Sequence, residues 1–297
     1  MFKSIKLQKL PLFICIILAA FLLMSLRHTE KSVEINQPVN AAIKQSEKNE
    51  INIPIIMYHA VSDVSSIQGD YVISSQEFEN DLRYLKGEGY KTIFINDIVN
   101  FVSGNGKLPD KPIVLTFDDG YYNNYLYVFP LIKKYNMKAS ISPVAYFSEM
   151  YTESGEVSEC YSHCTWQQLK EMAESGYIEL GNHSYNYHAC DGVHNGIGQT
   201  NGEGDEDYSK RITDDLTTAQ NMIFDNTGVR CEFIAYPFGV YNDNTEKIIK
   251  AMNFKAALTC ASGVNSIKEG DIEKLYNLKR LIRPHNSGIE SILSKWS

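Results

Sequence analysis

The sequence predicts an α/β protein built as a closed or nearly closed barrel of parallel strands with helices outside. Three observations lead there. Apolar runs of strand length alternate with helix-like patterns seven or eight times over about 245 residues, a spacing that suits a barrel. The runs are apolar throughout rather than every second residue, as expected of strands buried on both faces. No glycine-rich dinucleotide fingerprint is present, which leaves an open doubly wound sheet with less support.

Taken in order, Ile53–His59 is the first strand. Ser74 and Glu77 form a capping box, and Phe78, Leu82 and Leu85 follow on one helical face that ends at Gly87 or Gly89. Lys91–Ile95 is the second strand, with a short helix capped by Asn96 after it, and Lys111–Phe117 is the third. A helix broken or kinked by Pro130 leads to a fourth strand, Lys138–Val144. A loop follows, then a helix from Thr165 with Gln168 as capping box and Gly176 as stop, and a fifth strand, Tyr177–His183. The stretch Ala189–Lys210 is rich in Gly, Asp and Asn and reads as a long irregular loop, mobile or on the rim of a site. A long helix, Arg211–Gly228, precedes the sixth strand, Glu232–Gly239. A helix over Asn244–Met252, a seventh strand, Phe254–Cys260, and a last strand within Leu275–Ile282 complete the pattern.

The 297 residues carry a net charge of −8, which excludes the basic face a nucleic-acid partner requires. Lys3, Lys6 and Lys9 precede an apolar run from Leu10 to Leu26, roughly 25 Å as a helix. No small-residue cleavage site follows, so residues 1–26 read as an uncleaved signal anchor, a single transmembrane helix with the chain beyond it outside the cell. The alternative is a protein secreted after signal cleavage. Residues 27–50 are polar and read as a flexible linker, leaving 51–297 as one catalytic domain, expected to be monomeric. Cys15 lies inside the apolar run; the other five cysteines, Cys160, Cys164, Cys190, Cys231 and Cys260, allow one local disulfide or none. Cys160 and Cys164 flank His163, but no second cysteine pair completes a metal site.

Barrel active sites collect where strands end and helices begin. Asp118 and Asp119 follow the third strand, His183 and His188 the fifth, Pro237 and Phe238 the sixth, and His59 ends the first. Singly, each reads as a turn, a cap or a surface residue; together they fall at one end of one barrel. One carboxylate and two imidazoles make a three-ligand site for a divalent metal, with room for water. The second carboxylate can then act as base. Two adjacent aspartates can both stay ionised where a dication screens them.

The stretches "TFDDG", "HSYNYH" and "YPFG" resemble the first three motifs of the polysaccharide deacetylases, the NodB-homology fold of carbohydrate esterase family 4. The likeness covers most of Pro54–Leu281 and fades towards the C-terminus. It implies a distorted (β/α)7 barrel and removal of N-acetyl groups from amino-sugar polysaccharides, commonly with zinc. By position, Asp118 resembles the base, and Asp119, His183 and His188 the metal ligands. The N–H of Phe238, after Pro237, falls where the family holds the oxyanion. Three departures stand out. The two histidines are five apart rather than four. Ala235 stands where an arginine usually orients the base. The C-terminal general-acid motif has only a poor match in "RLIRPHNSG". All three resemble the poly-β-1,6-N-acetylglucosamine deacetylase branch, in which His59, rather than His285, would be the general acid. Trp166, Tyr121 and Tyr185 are candidates for stacking on sugar rings, with core or rim packing as the plain alternative. Peptidoglycan is the second substrate, and a glycan-binding homologue with weak turnover the third reading.

Overall fold

A computed structural model describes residues 50–188 and 195–296. The expected anchor, nearly all of the linker, Cys15 and Cys190 lie outside the described residues. Among the described residues, no helix is long and apolar enough to cross a membrane.

The expected strands form one curled parallel sheet. They are β1 (Ile55–Tyr58), β2 (Lys91–Thr92), β3 (Pro112–Asp119), β4 (Ala139–Pro143), β5 (Ile178–Leu180), β6 (Phe233–Ala235), β7 (Ala256–Ser262) and β8 (Leu278–Ile282). Seven of them run in the order β5-β4-β3-β1-β8-β7-β6, and β2 pairs with the start of β3. The two edges, β5 and β6, meet only at Asn182. Its N–H donates to Phe233 O at 3.0 Å and its carbonyl accepts from Ala235 N at 3.0 Å. A single residue thus joins the edges of the curled sheet, at the end where the strands finish. Side pairings tie the first residues, Ile51–Ile53, antiparallel to Asn265–Ile267, and Ala60–Val61 parallel to Val72–Ile73.

The helices are α1 (Ser75–Gly87), α2 (Ile95–Val102), α3 (Phe129–Tyr135), α4 (Ala145–Ser154), α5 (Trp166–Glu174), α6 (Asp205–Thr227), α7 (Asp243–Ala251) and α8 (Ile289–Leu293). Both capping boxes form: Ser74 with Glu77, and Thr165 with Gln168. Gly228 ends α6 in the left-handed conformation, at φ 77°. Pro130 falls in the first turn of α3, where its missing N–H costs nothing, and a π-helical turn over Asn124–Val128 leads into it.

Three expectations are corrected. Helix α2 begins at Ile95 with Phe94 as its cap residue; Asn96 is not the cap, because Asp97 accepts from Phe94 N and Glu179 from Ile95 N and Asn96 N. Helix α4 occupies part of the stretch read as a loop; its buried face is Ala145, Ser148 and Tyr151, too polar to show as an apolar stripe. Helix α6 begins at Asp205 rather than Arg211, with Asp205, Glu206 and Asp207 in its first turn, where acidic side chains complement the helix dipole.

Glu179 satisfies the first N–H groups of α2 and accepts from Ser140 Oγ, yet burial pushes its pKa up to about 7. An unfolded glutamate titrates near pH 4.3. Between those values the folded chain holds the extra proton, so stability falls as pH rises through the window, by about 3 kcal/mol between pH 5 and pH 8. Urea unfolding at pH 5 and pH 8 is expected to show that fall in the wild type and most of it removed in Glu179→Gln. A wild type equally stable at both pH values would refute it.

Candidate active site

Strand β3 is buried along its whole length and ends in Asp118 and Asp119. Each carboxylate has a different partner. Asp118 Oδ1 and Oδ2 accept from Arg280 Nη1 and Nη2 at 2.7 and 2.8 Å, a bidentate pair. Arg280 comes from β8 and is fully buried; its Nε donates to Thr259 O at 2.8 Å. Burial would raise the pKa of Asp118, but the Arg280 guanidinium lowers it below the ordinary value. An arginine on the candidate base, absent at the position of Ala235, is thus supplied from β8. It had little signal in the sequence, since Arg280 stands in "LKRLIR" beside Lys279 and close to Arg283.

Asp119 sits at φ 70° and Gly120 at φ 71°, so the chain turns sharply after the strand. Gly120 has no alternative, since a Cβ there would lie 2.8 Å from Pro143 Cβ. The turn carries Asp119 Oδ1 to 3.3 Å from His183 Nε2 and 3.0 Å from His188 Nε2. His183 Nδ1 lies 2.7 Å from Ala235 O; since a carbonyl only accepts, Nδ1 carries the proton and Nε2 presents a lone pair. Ligand atoms of Asp119, His183 and His188 all lie within 4.8 Å of one another, the one such cluster among the described residues. Buried Asp119 Oδ1 has no proton donor in hydrogen-bond geometry. Burial disfavours the His188 imidazolium, but the Asp119 carboxylate outweighs it and raises the pKa. A bare buried anionic oxygen facing an imidazole lone pair fits a divalent cation of the zinc class. The set would supply three protein ligands and leave positions open.

The triad opens into a cleft of about 590 Å³, also lined by His59, Tyr71, Tyr121, Phe238 and Arg280. That volume suits a sugar residue with its acetamide. His59 stands with its ring 4.7 Å from that of Tyr71, and its buried Nδ1 has no hydrogen-bond partner. Burial lowers its pKa, against the pull of Asp118 and Asp119, and favours the neutral ring. Phe238 adopts φ 56°, and its ring lies 4.5 Å from that of His188. Pro237 beside it is buried.

Of the remaining candidates Trp166, Tyr121, Tyr185 and His285, only Tyr121 lines the cleft. Trp166 is 4% exposed at the start of α5, and its indole N–H donates to Glu149. It is a core residue, not a platform for a sugar ring. Tyr121 does line the cleft, and one ring face is stacked on His163 at 4.6 Å. Tyr185 packs edge-on against Tyr146. His285 binds Glu77 at 2.7 Å and does not line the cleft. His163 lies among the rings of Tyr121, Phe147 and Tyr151, and burial pushes its pKa down to about 4. Cys164 is buried with its thiol on Tyr121 O, and among the described residues neither cysteine flanking His163 joins a cluster of three metal-ligating groups. Cys160, Cys164, Cys231 and Cys260 are free thiols.

Two curated proteins and one solved structure are similar to this chain. A Bacillus subtilis (strain 168) protein, YxkH, named provisionally as a polysaccharide deacetylase, is 29% identical over 237 residues, 80% of this chain and 73% of its own. The poly-beta-1,6-N-acetyl-D-glucosamine N-deacetylase of Escherichia coli (strain K12) is 25% identical over 73% of this chain, which spans only 35% of that relative's length. The solved structure of Streptococcus pyogenes deacetylase PplD in complex with acetate superposes with a TM-score of 0.66 at 25% identity, covering 84% of this chain and 99% of that one. The family model described as polysaccharide deacetylase matches residues 105–257, more than half of the chain and the stretch that carries Asp118, Asp119, His183, His188 and Phe238. With that match, the chain belongs to the polysaccharide deacetylase family.

Proposed function

We propose that this polysaccharide deacetylase hydrolyses the N-acetyl groups of poly-β-1,6-N-acetylglucosamine on the outer side of a membrane, with zinc held by Asp119, His183 and His188. One observation carries the reading: within a single cleft, the candidate metal ligands adjoin an aspartate clamped by a buried arginine, and His59 lines the same cleft. The choice of glycan is supported by the Escherichia coli relative's name and by the position of His59 at the end of β1. The outward orientation is supported by Lys3, Lys6 and Lys9 ahead of the apolar run.

A divalent cation there would polarise the acetamide carbonyl and acidify water. Asp118, kept ionised and aimed by Arg280, accepts the proton of the attacking water. The Phe238 N–H faces the carbonyl oxygen as it gains negative charge. His59, neutral at rest, takes up a proton and hands it to the departing amine; acetate and the free amino sugar result.

The test is acetate release from β-1,6-linked N-acetylglucosamine oligomers by the zinc-loaded protein, with a chelator control. Release that falls at least about 100-fold with chelator, and returns with zinc, supports the reading. Release from peptidoglycan instead would move the substrate; release from neither would leave a glycan-binding protein.

A further inference from the structure

Helix α6 supplies no ligand to the candidate metal site, yet it holds the segment that joins two of the ligands. Asp215, in the middle of α6, is 7% exposed. Its Oδ1 accepts from Tyr185 N at 2.9 Å and its Oδ2 from Asn186 N at 3.0 Å. These are consecutive amides between His183 and His188. One turn earlier, the guanidinium of Arg211 lies 4.9 Å from the centre of the Tyr187 ring, and Glu203 holds Arg211 from behind at 2.6 and 2.7 Å. The other side of the segment is held as firmly. The carbonyls of Ser184 and Tyr185 accept from Ala145 N at 3.2 Å and Tyr146 N at 3.0 Å, the first residues of α4. Ser184 itself is at φ 71°, a conformation a serine keeps only under such constraint.

From this geometry we propose that Asp215, assisted by Arg211, is a positioning residue that sets the place of His188 relative to Asp119 and His183, and so the affinity of the metal site. Asp215 gathers two successive N–H groups of the connection between the histidines onto one carboxylate. A carboxylate suits the task because both oxygens accept; an asparagine offers one acceptor and turns an N–H₂ towards the second amide. Partners of this kind, beyond the ligands themselves, commonly matter 10–100-fold for metal affinity. The inference rests on the reading of Asp119, His183 and His188 as a divalent-metal site. It does not depend on the identity of the glycan.

The experiment measures zinc binding to the full-length chain by competition with a chromophoric chelator, in wild type, Asp215→Asn, Asp215→Ala and Arg211→Met. The visible spectrum of each cobalt-loaded protein and thermal unfolding without metal are recorded alongside. The zinc dissociation constant is expected to rise about 10–100-fold in Asp215→Ala and about tenfold in Asp215→Asn, with an altered cobalt spectrum in both. A smaller rise is expected in Arg211→Met. Should Asp215→Ala fail to fold, the near-isosteric Asp215→Asn decides. Zinc affinity within about twofold of wild type and an unchanged cobalt spectrum in Asp215→Asn would overturn the role of Asp215, leaving the metal site standing. A wild type that binds no zinc would overturn the metal site and this role together. Acetate release enters neither outcome, so failure of the substrate assignment is separable from both.

Discussion

Asp118→Asn is expected to lower kcat about 10³-fold, within the range for loss of a positioned general base. Zinc affinity should stay close to that of the wild type. The substitution keeps shape and one acceptor for Arg280, while Asp119, His183 and His188 are untouched. Asp119→Ala is the contrasting variant: it removes the oxygen that both imidazoles face, and metal and turnover should go together. One complication is built into the site. A neutral amide in place of the Asp118 carboxylate would leave the buried Arg280 charge without its counter-ion, which costs stability. Unfolding curves therefore accompany the kinetics, and kcat is read well below the midpoint. Near-normal turnover in a folded, zinc-loaded Asp118→Asn protein would mean that another group is the base.

Arg280→Met should be the most damaging single change to stability near the site. Arg280 and Asp118 are both almost completely buried, and removing one partner leaves the other as an uncompensated interior charge. The expected cost is about 3–5 kcal/mol in urea unfolding. Turnover should fall about 100-fold as well, because the two N–H···O contacts that aim Asp118 are gone. Arg280→Lys keeps the charge but offers a point donor instead of a planar fork, so it should recover stability better than turnover. If Arg280→Met loses less than about 1 kcal/mol and turns over normally, the pair does not orient the base.

Much of the fold was legible because its signals are local. A capping box needs only the residue three positions on, as at Ser74–Glu77 and Thr165–Gln168, and a buried parallel strand announces itself as a short apolar run. Helix α4 was not legible, because the surface it packs against tolerates Ala145, Ser148 and Tyr151 and so leaves no apolar stripe. Trp166 illustrates a second limit. A tryptophan beside a loop reads as a sugar platform or as core with equal ease. Only the approach of Glu149 to its indole N–H settles the matter.

By itself the sequence determined the strand order along the chain and which side chains stand at strand ends, hence Asp118, Asp119, His183, His188 and His59 as a set. It could do so because strand, turn and cap are written within a few residues of one another. The tertiary structure alone decided how those side chains are held. Arg280 reaches Asp118 from 162 residues away, and Asp215 reaches the histidine segment from 30 away, across contacts that no local pattern encodes. Both are charged groups taken out of water, and a buried charge is stable only where the fold brings it a partner.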